Sequence, residues 1–77
     1  MEYETKDFYL SVLLLTKKFK LNRSQKQDDG VHFWFEYENP VELAETIQEF
    51  INCTAMVNLR TYTKNVAFMR RELDKHR

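Results

Sequence analysis

Gly30 and Pro40 are the only glycine and the only proline in a chain of 77 residues. Their setting leaves little choice about the middle of the fold. Asp28-Asp29-Gly30 is a strong hairpin turn, because glycine enters the positive-φ region a tight turn needs without steric cost. After it, Val31, Phe33, Phe35 and Tyr37 alternate with His32, Trp34 and Glu36, the period of a strand with one buried face. Nine residues beyond the turn, Asn39-Pro40-Val41-Glu42 opens a helix. Asparagine is the N-cap, proline takes the first position, where no N–H is missed, and an acid sits against the positive dipole end. A hairpin must therefore close and a helix begin within this short stretch.

The flanking segments read as helices. Between residues 5 and 18, Phe8, Val12, Leu15 and Phe19 fall at i, i+4, i+7 and i+11, with Tyr9 and Leu13 beside them, a helical stripe. Thr5 can cap this helix, Asp7 lies in its first turn, and Lys17 and Lys18 lie at its end. The aromatic and apolar run from Phe8 to Leu15 would also suit a strand, but length, cap and charge placement favour the helix. Residues 40–52 bury Leu43, Ala44, Ile47, Phe50 and Ile51. Asn58 caps a last helix over 59–75, in which Leu59, Tyr62, Val66, Met69 and Leu73 step by three and four. The reading is a single small α+β domain over 1–77 in α-β-β-α-α order, with one antiparallel hairpin (residues 19–37) packed against three helices. A three-residue turn with Gly30 left-handed pairs Leu21 with Tyr37, Phe19 with Asn39, Lys20 with Glu38 and Asn22 with Glu36. That register keeps apolar residues on one face.

Composition narrows the function. Aromatic residues make up 14% and hydrophobic residues 43%, too much for a disordered tail. The longest apolar run, Val12 to Leu15, is four residues, far from the ~18 of a membrane span. The acidic start Met1-Glu2-Tyr3-Glu4 is unlike a secretory signal. Cys53 is the only cysteine, which excludes an internal disulfide and a cysteine-based zinc site and suits a reducing, cytoplasmic setting. As a residue it reads as a small buried hydrophobe. His32 and His76 stand in different elements without a ligand at metal spacing, His32 on the strand surface and His76 frayed near the end. Glu36 and Glu38 read as solvated strand residues. With one glycine there is no phosphate loop. Neither an enzyme nor a metal, cofactor or small-molecule substrate is expected.

Charge order is more informative than net charge, which is zero from twelve bases and twelve acids. Residues 17–26 carry Lys17, Lys18, Lys20, Arg23 and Lys26 and no acid. The middle carries Asp28, Asp29, Glu36, Glu38, Glu42, Glu45 and Glu49. From Arg60 onward the chain is basic again. Arg60, Lys64, Arg71 and Lys75 fall on one helical stripe opposite the apolar one, with Phe68 among them. Cations around an aromatic are a nucleic-acid footprint, through phosphate contact and base stacking; the same stripe also suits a plainly solvated face. On the hairpin, Trp34 points away from Phe33 and Phe35, beside Ser24 and His32. An outward Trp on a hairpin with two free edges suggests an interface anchor, unless Met1–Glu4 or a helix covers it. The leading reading is a homodimeric, non-enzymatic interaction module that binds a protein partner through Trp34, His32 and Ser24. The alternative is a nucleic-acid-binding accessory protein using Arg60, Lys64, Phe68, Arg71 and Lys75.

Thr5-Lys6-Asp7-Phe8-Tyr9-Leu10, Phe19-Lys20-Leu21, Val31-His32-Phe33-Trp34-Phe35 and the helix from Leu59 to Leu73 resemble a family of short uncharacterised bacterial and phage proteins, a domain of unknown function. Its pattern is a Thr-x-Asp-Phe-Tyr-Leu opening, a Gly-Phe-x-Leu strand start, a Phe-x-Phe strand and an Arg/Lys-rich last helix. Lys18 stands where that pattern has glycine. The resemblance implies no catalytic residues, and a phage or mobile-element setting in which small proteins bind nucleic acid or a host protein.

Overall fold

The computed structural model describes residues 1–77. It contains β1 (Glu2–Thr5), α1 (Phe8–Thr16), β2 (Lys20–Gln27), β3 (Gly30–Glu36), α2 (Pro40–Ile51) and α3 (Leu59–Asp74). This is a compact α+β domain in β-α-β-β-α-α order, with one strand more than the sequence reading gave. The added strand is β1, which pairs antiparallel with β3, Tyr3 opposite Phe35 and Thr5 opposite Phe33. The sheet order β1-β3-β2 makes the hairpin strand β3 central. β1 and β2 are each antiparallel to β3, so they run in the same direction, and α1 is the crossover between them.

α1 is the hub. Leu10, Val12, Leu13 and Leu14 are buried around much of its circumference, together with Ser11. Leu10, Val12 and Leu14 join a cluster with Phe19, Phe33, Phe35, Leu43 and Met69. The helix starts at Phe8 rather than at residue 5, because Asp7 is the cap: its Oδ1 accepts the Leu10 N–H at 3.0 Å. Thr5 belongs to β1 and its hydroxyl accepts the Asp7 N–H at 3.1 Å. Ser11 and Thr46, the two buried hydroxyls, donate to the carbonyls of Asp7 (2.8 Å) and Glu42 (2.9 Å) one turn back, which removes the penalty of burying them. α2 and α3 are capped by Asn39 and Asn58 as read from the sequence. Their faces are narrower than expected: Ala44, Ile51 and Leu59 are exposed, and Thr46 is buried instead.

The hairpin register differs from the expected one. Gln27 pairs with Gly30, so only Asp28 and Asp29 lie between the paired residues, and Gly30 has φ 127°. A bulge at Asn22 then shifts the ladder, so that Leu21 opposes Phe35 and Lys20 opposes Glu36, while Ser24 opposes Phe33 and Arg23 opposes Trp34. An unbroken ladder cannot do both. The extra residue lets Leu21 share the core face with Phe35 and still sends Arg23 outward.

Two helices end on non-glycine residues with positive φ. Lys18 (φ 71°) closes α1, with Lys18 N–H donating to the Leu15 carbonyl at 3.1 Å and Phe19 N–H to the Leu14 carbonyl at 3.0 Å. Cys53 (φ 58°) closes α2 with the matching bonds to Phe50 (3.2 Å) and, from Thr54, to Glu49 (2.9 Å). Both are Schellman caps, and the left-handed position that glycine fills most easily is held at the end of α1 by a strained lysine. Lys18→Gly is predicted to raise stability by about 1 kcal/mol, and the melting temperature by roughly 4–8 °C. Lys18→Ala should bring no gain, and thermal denaturation of the two variants checks this.

Candidate nucleic-acid interface

α3 runs antiparallel to α1. Asn65 Nδ2 donates to Thr16 Oγ1 at 3.0 Å near the end of α1, while Leu73 and Asp74 line one groove with Phe8 and Tyr9 at its start. The seam is Tyr62, Val66, Met69 and Leu73, with Met69 fully buried. Burial raises the Tyr62 phenol above its ordinary pKa. Arg60, Lys64, Phe68, Arg71 and Lys75 all lie on the exposed arc, spread over about 22 Å at 1.5 Å rise per residue. Lys75 is ion-paired to Glu72 at 2.6 Å. Arg60, Lys64, Arg70 and Arg71 have no carboxylate at ion-pair distance. Phe68 is 38% exposed.

The sheet's outer face is organised differently from the expected patch. Trp34 does point outward, but it is only 9% exposed. The Arg23 guanidinium carbon lies 4.1 Å from its ring centroid, a cation–π stack. Arg23 is itself held toward Glu2 at 3.8 Å, and Glu4 of β1 is the residue opposite Trp34. Ser24 is on the opposite, inner face, with its Oγ 2.8 Å from His76 Nε2. His76 is thus tied to the sheet rather than frayed. Of the three residues read as one patch, Trp34 and His32 stay together, with rings 6.1 Å apart, and Ser24 does not join them. Cys53, read as buried, is exposed.

His32 bridges two elements. Its Nδ1 lies 2.5 Å from Glu4 Oε2 on β1 and its Nε2 lies 2.7 Å from Asp29 Oδ1 in the turn. Lys6 Nζ also meets Asp29 at 3.1 Å. These contacts were invisible in sequence, because Glu4 and His32 meet only through β1. The Asp29 hydrogen bond, then that of Glu4, raises the His32 pKa above its ordinary value. The His32 and Lys6 hydrogen bonds lower Asp29 to about 2. No cluster of three or more side chains suited to hold a metal ion is present, and no helix is long and apolar enough to cross a membrane.

A family model described as a domain of unknown function, DUF5659, matches residues 1–73. The chain belongs to that family. No curated protein and no solved structure matches it.

The His32 bridge carries a pH prediction. A histidine whose folded pKa is raised adds stability that is complete below its unfolded pKa, about 6.5, and is lost as pH rises through the folded value. A carboxylate whose folded pKa is lowered adds stability above about 3.8 that is lost as pH falls toward about 2. β1 protection from hydrogen exchange, corrected for intrinsic rates, should be highest between about pH 4 and 6.5. His32→Gln should flatten the alkaline limb. An alkaline limb that survives this substitution would refute the assignment.

Proposed function

We propose that this DUF5659 domain is a non-enzymatic binding module that contacts nucleic acid through the exposed arc of α3. The observation that carries the reading is the set of unpaired cations, Arg60, Lys64 and Arg71, in line on one exposed helix face with Phe68 half open beside them. An unpaired surface cation has no internal contact to give up when it meets a phosphate. Each phosphate neutralised releases a counterion, and this drives association at low salt. Phe68 supplies an apolar contact for sugar or base. The expectation of a homodimer through the hairpin rested on an open Trp34, and the Arg23 stack takes up that ring within its own chain. The phage or mobile-element setting implied by the family resemblance is compatible with such a module and forms part of the proposal.

Binding to a generic DNA oligonucleotide should weaken with salt, with a log–log slope of roughly 2–3 for three phosphate contacts. Arg71→Glu should abolish retention at physiological salt without changing the melting temperature by more than a degree or so, since the arc is outside the core. Fluorescence anisotropy across a salt series reads both, and an absence of binding at low salt would sink the proposal.

A second reading, association with another protein or a second copy, is favoured by one observation. Ile51, Met56 and Leu59, around the α2–α3 connection, are 64%, 84% and 76% exposed, more apolar surface than the packing of this region requires. Under this reading, sedimentation velocity should show a concentration-dependent dimer that Met56→Lys with Leu59→Glu removes. A monomer at all concentrations would leave only a different partner protein for that surface.

A further inference from the structure

A groove of about 520 Å³ lies where the start of α1 meets the last turns of α3, lined by Phe8, Tyr9, Arg70, Leu73, Asp74 and Arg77. It is an open surface groove and not an enclosed cavity. Tyr9 is 54% exposed, though it belongs to the most buried helix in the fold. Its ring is steadied by Phe8, edge to face at 90° with centroids 5.2 Å apart, a favourable arrangement for two aromatics. The groove thus contains an aromatic side chain that packs against Phe8 and is still accessible. Its charges come from both helices: Arg77 is paired with Asp74 at 3.3 Å, Arg70 has no ion-pair partner, and Asp7 caps α1 nearby. Arg70 is the free cation of the set. It is also the immediate neighbour of Arg71, about 100° round the helix, so a strand that follows the basic arc reaches the groove at its C-terminal end.

We infer that this groove receives one base of a single-stranded nucleic acid, stacked on Tyr9, with the adjoining phosphate on Arg70. The inference rests on the function proposed above and specifies the form of nucleic acid. In a duplex the π-faces of internal bases are occupied by their neighbours, whereas every base of a single strand can offer one. Phe68 on one flank of the basic arc and Tyr9 on the other are then two stacking stations beside one track of cations.

The test compares an oligothymidylate of about fifteen nucleotides with a duplex of equal length, using wild type, Tyr9→Ala, Tyr9→Phe and Arg71→Glu. Tyr9→Ala should lose about tenfold in affinity for the single strand and none for the duplex, while Tyr9→Phe retains wild-type binding. Thymidine monophosphate should shift the Tyr9 ring resonances saturably, and inorganic phosphate should not. The inference fails if Tyr9→Ala binds the single strand as wild type does, if it weakens both forms equally, or if phosphate alone reproduces the Tyr9 shifts. Should Arg71→Glu then still weaken binding, the function on α3 stands without the groove. Retention of neither oligonucleotide overturns both.

Discussion

The rest of the fold depends on the burial of α1. Nine residues of helix span about 14 Å, and Val12 and Leu14 within it have no exposed surface. A helix apolar round most of its circumference cannot sit on a single partner; it needs cover on several sides. The sheet provides Phe33 and Phe35, α2 provides Leu43, and α3 provides Met69. A domain of this size buries only about 60–65% of its unfolded surface, so committing one helix wholly to the core leaves α2 and α3 as outer layers. Each gives α1 a narrow stripe and keeps the remainder for solvent.

The same constraint explains β1 and the bulge. A two-stranded ribbon would leave β3, with its two buried phenylalanines, at an edge. Adding Glu2–Thr5 places β3 in the middle and puts Tyr3 and Thr5 on the inner face. The outer face has no helix among its principal contacts, and polar side chains cover its one large aromatic. The two-residue turn sets Arg23 over Trp34, the bulge at Asn22 returns Leu21 to the inner face, and His32 joins β1 to the turn through two carboxylates. Trp34, Arg23 and His32 are thus engaged within that surface, which makes their patch a poorer recognition surface than its composition suggests.

Signals with a strict local cause were legible in sequence. The Asn39-Pro40 and Asn58 caps, the positive φ at Gly30 and the α3 seam all follow from nearby residues and are present. Features that need a distant partner were not. Glu2-Tyr3-Glu4-Thr5 does alternate, but four residues are too few to tell a strand from an acidic end without seeing β3 beside them. Parity alone selects a register only if the ladder is unbroken: a turn one residue shorter than expected exchanges Ser24 for Arg23 beside Trp34, and the bulge at Asn22 absorbs the shift so that Leu21 still faces inward. The exposed arc of α3 is local in origin and was legible. The groove at Tyr9 was not, since it needs α1 and α3 to run antiparallel.

The zero net charge of the chain is therefore a sum over unlike surfaces: a mixed sheet, an acidic α2 and a basic α3. On the sheet and its turn, Arg23, Lys6 and His32 meet Glu2, Glu4 and Asp29 at contact distance, while Lys20 and Lys26 have no carboxylate at ion-pair distance. On α3, the acids Glu72 and Asp74 engage Lys75 and Arg77 near the end of the helix, and Arg60, Lys64, Arg70 and Arg71 are left without partners. With a Debye length of about 8 Å at physiological salt, a phosphate approaching that arc responds to these nearest cations and only weakly to the acids of α2 or the turn. Local charge and not the molecular total governs such an encounter. Because α3 is anchored through its inner seam, the arc can be reversed in charge without loss of the core, so the proposed recognition can be tested separately from folding.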